Sequence, residues 1–205
     1  KGGCPIEQDI PAYLMKVGEG KYEEALRIIT QRNALPFITG TLCAHNCMNK
    51  CTRNYYDQPV NIRATKLVAA EKGYEELMAC LKPPAPAASR ARAAVIGGGP
   101  GGLSAAYYLQ LMGHQTTVYE MLPKLGGMLR YGIPNYRLPK DRLDDDINAI
   151  LKTGVEVKQG LKIGVDITIQ ELREQYDAVL ITIGASTDKK LGLPGEDADG
   201  VLSAV

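Results

Sequence analysis

Two groups of residues in this chain have the types and spacing to do chemistry. The first is TLCAHNCMNKC, where Cys43, Cys47 and Cys51 are three of the five cysteines, each separated from the next by three residues. Thiols gathered this tightly, in a chain with no secretory signal, point to a metal centre rather than to disulfides. Cys43, His45, Cys47 and Cys51 supply the four ligands a zinc ion needs. However, the histidine sits inside a short loop and no C-x2-C pair is present, a poor tetrahedral arrangement. Reduced structural thiols are the plainest alternative, and Cys80, on an apolar helix face, reads as a buried thiol of that kind.

The second group is VIGGGPGGLSAA, which sets Gly97, Gly99 and Gly102 in G-x-G-x-x-G spacing. The first glycine permits a tight turn, the second lets the backbone approach a pyrophosphate, and the third lets a helix pack closely on a strand. Pro100 and Gly101 lie where that helix opens, so its free amides and partial positive charge face the phosphates. Glu120 follows about 20 residues on, where a carboxylate binds ribose hydroxyls and disfavours a 2′-phosphate. The expected ligand of this turn is therefore FAD or NAD rather than NADP. Gly126 and Gly127, in EMLPKLGGMLRYGIPNYRLPK, let the backbone fold over the cofactor, with Met121 and Met128 flanking that loop, and this favours FAD.

The elements that must position these residues fall into two sets. Residues 1–81 read as helical: Ile10, Tyr13, Leu14 and Val17 share one helical face, Ala25, Leu26, Ile28 and Ile29 another, and Leu67, Ala70, Tyr74, Leu77 and Leu81 a third. Pro83, Pro84 and Pro86 mark residues 82–91 as a linker. From residue 92 to 205 strands alternate with helices: AAVIGGG, a helix ending at Gly113, TTVYE, a helix over 141–153, VEVKQG and YDAVLITIG. That alternation predicts an α/β fold, a Rossmann-like parallel sheet preceded by an all-helical module. The run Asp144, Asp145, Asp146 reads as a solvated helix face, and His114 as an exposed turn residue.

A net charge of +1, from 24 basic and 23 acidic residues, motivates neither a nucleic acid nor an acidic membrane as partner. No apolar run approaches the ~20 residues of a membrane span, so a cytoplasmic protein is the expectation. Lys1 is not an initiator and GVLSAV stops where a new element begins, so the chain reads as a piece of a longer one.

From Ala94 to Gly184 the sequence resembles the FAD domain of the glutamate synthase small-subunit family, which includes the N-terminal half of dihydropyrimidine dehydrogenase. YGIPNYRLPK is the segment that carries the resemblance most specifically. By position it implies that Arg137 contacts the flavin cofactor, that Ile163 lines its adenine side through the backbone, and that Thr182 and Gly184 form the strand-end turn closing over FAD. The family carries a helical module with two [4Fe-4S] clusters ahead of this domain, and residues 1–81 look like it. Cys4, followed by Pro5, resembles the last cysteine of a C-x3-C-P run, which commonly serves a different cluster from its fellows. The resemblance implies that Cys4, Cys43 and Cys47 share one cluster and that Cys51 serves the other. Lys66 stands where relatives place a Gln or Glu as the non-cysteine ligand, a departure from the pattern.

The resemblance implies an electron-transfer oxidoreductase in which NADPH reduces FAD and single electrons leave through the clusters. They would pass to a catalytic partner subunit or domain, of the glutamate synthase large-subunit type or another reductase. The NADPH site is expected beyond Val205. Two other classes stay open: a flavin-dependent disulfide-type reductase without clusters, for which no C-x-x-C or C-x4-C pair follows Gly97, and a non-catalytic adaptor with a vestigial nucleotide fold.

Overall fold

The computed structural model describes residues 3–88 and 90–202. Lys1, Gly2, Ser89 and residues 203–205, which fall in the expected helical module, linker and nucleotide fold, lie outside the described residues.

Five helices and a 3-10 turn come first. They are α1 (Ile10–Gly18), α2 (Tyr22–Thr30), α3 (Pro36–Leu42), α4 (Asn46–Asn49), the 3-10 turn Thr52–Tyr55, and α5 (Ile62–Cys80). Two of the starts have side-chain caps: Asp9 accepts from the Ala12 N–H at 3.4 Å and Asn61 from the Ala64 N–H at 3.3 Å, each satisfying an amide that the helix leaves free. The expected face of α1 is buried, with Tyr13 packed among Ala25, Ile29, Ile62 and Ala69. The inward stripe of α5 is Ile62, Lys66, Ala69, Ala70, Gly73 and Leu77, which includes one lysine. Gly73 is needed there, because a Cβ would lie 2.7 Å from the Tyr22 carbonyl oxygen.

The second part is β1 (Arg92–Ile96), α6 (Pro100–Leu111), β2 (Gln115–Glu120), α7 (Met128–Tyr131), α8 (Lys140–Lys152), β3 (Glu156–Gln159), α9 (Ile169–Gln175) and β4 (Ala178–Ile181). All pairings are parallel and the strand order is β3-β2-β1-β4, so the chain reverses its winding beside β1. Such a reversal opens a crevice at the carboxyl ends of the strands. The expected strands and helices are present, with α7 and α9 in addition. Thr168 and Glu171 start α9 with a reciprocal capping box.

The two parts share a core. One apolar cluster joins Ala34, Leu35 and Ile38 to Leu103, Tyr107, Leu143 and Ile147. Asp146 contradicts the solvated-face reading: it is 1% exposed and accepts from the Phe37 and Ile38 N–H groups at 3.2 and 3.0 Å, capping α3 from α8. Tyr74 donates to the Asp145 carbonyl at 3.2 Å and Tyr108 to that of Thr30 at 3.1 Å. The proline segment lies against the second part, with the Ala87 N–H bonded to the Gly113 carbonyl at 3.1 Å. Two smaller expectations also fail. Cys80 is exposed, because the buried stripe of α5 ends at Leu77. His114 is half-buried, its Nδ1 accepting from the Ala91 N–H at 3.3 Å.

Candidate functional site

At the carboxyl end of β1 the chain turns through Gly97, whose φ of +105° suits glycine alone, and a Cβ there would fall 2.5 Å from the Thr182 carbonyl oxygen. A Cβ on Gly102 would fall 1.9 Å from the Gly97 carbonyl oxygen and 2.7 Å from Thr182 Oγ1, so α6 packs on the turn only through glycine. Thr182 pins the turn from β4: its N–H donates to the Ile96 carbonyl at 2.8 Å, and its hydroxyl lies 2.9 and 3.1 Å from the Ile96 and Gly97 carbonyls. No side chain caps α6 at Gly99, which leaves the amides of Gly101 and Gly102 free at the helix start for an anion.

Glu120 ends β2, 6% exposed. Its Oε2 accepts from the Gly98 N–H at 2.7 Å and its Oε1 from the Leu122 N–H at 2.8 Å. Each oxygen retains a lone pair, so the carboxylate is oriented by the backbone and can still accept from ribose hydroxyls. The loop after it closes on the glycine turn through the Gly126 N–H, which bonds the Gly98 carbonyl at 2.8 Å. Gly126 and Gly127 have φ of +119° and +51°, and a Cβ on Gly127 would lie 2.9 Å from Gly99 Cα. Met121 and Met128 are exposed beside this loop. The backbone cradle, the uncapped helix start and the oriented carboxylate therefore fit a dinucleotide such as FAD.

The remaining expected flavin residues are less gathered. Arg137 is exposed in the turn that begins at Pro134. Ile163 bridges to Ile167 and packs beside Tyr119 and Leu172. Gly184, φ +68°, follows β4 with no atom within 4 Å of a Cβ built on it.

The thiols stand at helix ends. Cys43 closes α3, Cys47 lies in α4, Cys51 precedes the 3-10 turn, and Cys4 sits in an N-terminal turn beside Cys47, where a Cβ on Gly3 would lie 3.1 Å from Cys47 Cα. Gly3, Cys4, Pro5, Asn46, Asn49 and Lys50 line an open cavity of ≈ 400 Å³. Between Cys43 and Cys47, His45 adopts φ +46°, a conformation costly for a side-chain-bearing residue. It is held there by its N–H on Cys43 Sγ at 3.4 Å and its Nδ1 on the Cys43 carbonyl at 3.1 Å.

The charges of Cys43 and Cys4 bear on Cys47. Burial raises the Cys47 thiol, the neighbouring Cys43 and Cys4 raise it further, and the ammonium of Lys66 pulls it down. The charge of Cys51 bears on Arg53. Among the described residues no three Cys, His, Asp or Glu side chains converge on one point as a single metal ion requires. An iron-sulfur cluster spreads its thiolates wider than a tetrahedral ion does, and Cys4 lining the open cavity, with Cys47 close to the turn that carries it, supplies thiolate donors of the kind such a cluster takes. The roles of Asp146 and Tyr13 are ones that sequence reasoning missed, whereas Thr182 was expected in the turn it holds. Asp146 left a signal, since Leu143, Asp146, Ile147 and Ile150 are spaced for one helix face.

Residues 1–77 match the family described as dihydropyrimidine dehydrogenase domain II, 4Fe-4S cluster, and residues 91–204 match pyridine nucleotide-disulphide oxidoreductase. The chain is 40% identical to the NADP(+)-dependent formate dehydrogenase subunit beta of Moorella thermoacetica, over 95% of this chain and 30% of that protein. It is 39% identical to the NADPH-Fe(3+) oxidoreductase subunit beta of Geobacter sulfurreducens, over 95% and 29%. With the glutamate synthase (NADPH) small chain of Mycobacterium tuberculosis it shares 34% identity, over 99% and 41%. The chain thus spans less than half the length of each of these relatives. The resemblance carried by YGIPNYRLPK extends over nearly the whole chain, and the glycine turn stands at the head of the longer match. The chain belongs to the pyridine nucleotide-disulphide oxidoreductase family, in a form that carries a 4Fe-4S domain of the dihydropyrimidine dehydrogenase type ahead of the nucleotide fold.

Proposed function

We propose that this chain is the flavin- and cluster-bearing part of an NADPH-dependent electron-transfer oxidoreductase. The observation that carries the reading is one shared core joining a dinucleotide cradle to a cysteine cluster: Asp146 on α8 fixes the start of α3, and α3 ends at Cys43. FAD supplies the exchange between two-electron and one-electron chemistry when bound, and 4Fe-4S clusters carry single electrons.

The chain's own residues bind and orient. Gly97, Gly99 and Gly102 bring the backbone to the pyrophosphate, with Pro100 and Gly101 opening the helix that faces it. Glu120 holds the ribose, and Gly126 and Gly127 shape the loop over it between Met121 and Met128. Arg137, Ile163, Thr182 and Gly184 complete the flavin side. Cys4, Cys43 and Cys47 ligate one cluster and Cys51 belongs to a second. No side chain acts as a general acid or base in this scheme. Relatives named as subunits of NADPH-linked enzymes support NADPH as the hydride donor and a partner subunit as the electron acceptor.

The test is the visible spectrum, with iron and acid-labile sulfide analysis, of the full-length protein purified without oxygen. Flavin bands on a broad iron-sulfur absorbance are expected. Flavin alone would make the protein a cluster-free reductase, and neither chromophore would make it an adaptor.

A further inference from the structure

The hydroxyl of Tyr13 is one of three buried side-chain polar atoms that meet no hydrogen-bond partner among the described residues. The side chain is fully buried, and Cys47 packs against the cluster that holds it. After burial itself, the charges of Cys47, Cys4 and Cys43, in that order, push its phenol above the ordinary range. Tyr13 and Cys47 thus belong to one packed cluster in which the hydroxyl is left unpaired. A buried O–H without an acceptor is costly, and phenylalanine would fill the same space without that cost.

Lys66 is the second unusual group. It occupies the inward stripe of α5 between Ile62 and Ala69, is 6% exposed, and acts on Cys47 with the sign opposite to the neighbouring thiols. A protonated lysine has three donors and no lone pair, so as an ammonium it serves as a charge and not as a ligand.

We infer that Tyr13 donates its O–H to a sulfur of the cluster held by Cys4, Cys43 and Cys47, and that Lys66 faces the same cluster as a fixed positive charge, the two together raising its reduction potential. This rests on the cluster assignment proposed above. A reduced cluster carries one more negative charge than an oxidised one, so a hydrogen bond to sulfur and a nearby cation both stabilise the reduced form. Net charge, hydrogen bonds to sulfur and solvent exposure are the levers that set such potentials. Tyr13 and Lys66 supply the first two, and the burial of both side chains keeps water from screening them.

The experiment is a mediated redox titration of the full-length protein followed by electron paramagnetic resonance, on the cluster signal that Cys47→Ala abolishes, with iron and sulfide measured on every sample. Tyr13→Phe and Lys66→Met are each expected to make one-electron reduction about tenfold less favourable, a fall of about 59 mV, at unchanged iron content. Lys66→Arg keeps the charge and should keep the potential. Should Tyr13→Phe fail to assemble the cluster, replacement of tyrosine by 3-fluorotyrosine, a stronger O–H donor of nearly the same shape, is expected to raise the potential. Potentials that stay put in Lys66→Met and in either tyrosine change, with full cluster content, would overturn the inference and leave the cluster assignment standing. A wild-type protein without iron, sulfide or signal would overturn both.

Discussion

Glu120 accepts one backbone N–H on each carboxylate oxygen, so its geometry is set by the chain itself. Glu120→Gln keeps the shape but removes the charge and one of the two acceptors. A charged hydrogen bond contributes about 1.5–3 kcal/mol, so FAD affinity should fall by roughly ten- to a hundredfold, read by quenching of flavin fluorescence. Asp146 makes a prediction of a different kind. Burial raises its carboxyl to about 8, while the Ile38 and Phe37 N–H groups hold the rise in check. The unfolded chain releases this proton near the ordinary value of 3.8. Between those values the folded state binds a proton that the unfolded state does not, so stability falls as pH rises through that window. The slope is at most about 1.4 kcal/mol per pH unit. Urea midpoints between pH 5 and 8 should decline in the wild type and stay nearly level in Asp146→Asn; equal slopes would refute the assignment.

At the scale of the element, the glycine turn is held from both sides, by α6 through Gly102 and by β4 through Thr182. Gly102→Ala places a methyl 1.9 Å from the Gly97 carbonyl oxygen, so α6 must lift off the turn that it caps. Overpacking of this kind costs about 1–3 kcal/mol, and the purified protein should lose its flavin. Thr182→Val removes only a hydroxyl donor that lies 2.9 Å from the Ile96 carbonyl, so a loss of about 1 kcal/mol is expected, with flavin retained. Chemical denaturation together with flavin content separates the two variants, and equal flavin loss would show that the turn does not depend on close helix packing.

At the scale of the whole molecule, the two parts that sequence reading joins through a linker share a core away from that linker. Ala34, Leu35 and Ile38 precede or lie on α3, the helix that ends at Cys43, yet they pack with Leu103, Tyr107 and Leu143 of the nucleotide fold. Ile38→Ala should therefore cost about 2–5 kcal/mol and weaken both parts together. Hydrogen exchange would show this as equal losses of protection for amides of α5 and of β1. A loss confined to one part would mean that the two fold independently, and the proposed electron transfer between them would then lack a rigid frame.

Local chemistry was legible in the amino-acid order. G-x-G-x-x-G after an apolar strand, an acidic residue closing the next strand, and thiols at fixed spacing each depend on neighbours a few residues away, and the structure puts them at strand ends and helix ends. The signal for α9 was also present, in Thr168 three residues before Glu171, and went unread. Other features depend on contacts between distant segments. Asp146 belongs to a run of three aspartates that looks solvated, and only the arrival of α3, 108 residues earlier in the chain, makes it a buried cap. Cys80 looked buried from its apolar neighbours, but the side chain stays exposed beyond the buried stripe that ends at Leu77. Tyr13 read as one more core aromatic until folding buried its hydroxyl without a partner in the cluster that Cys47 packs against. Periodicity reports which face of a helix turns inward, whereas the identity of what that face meets is decided by packing alone.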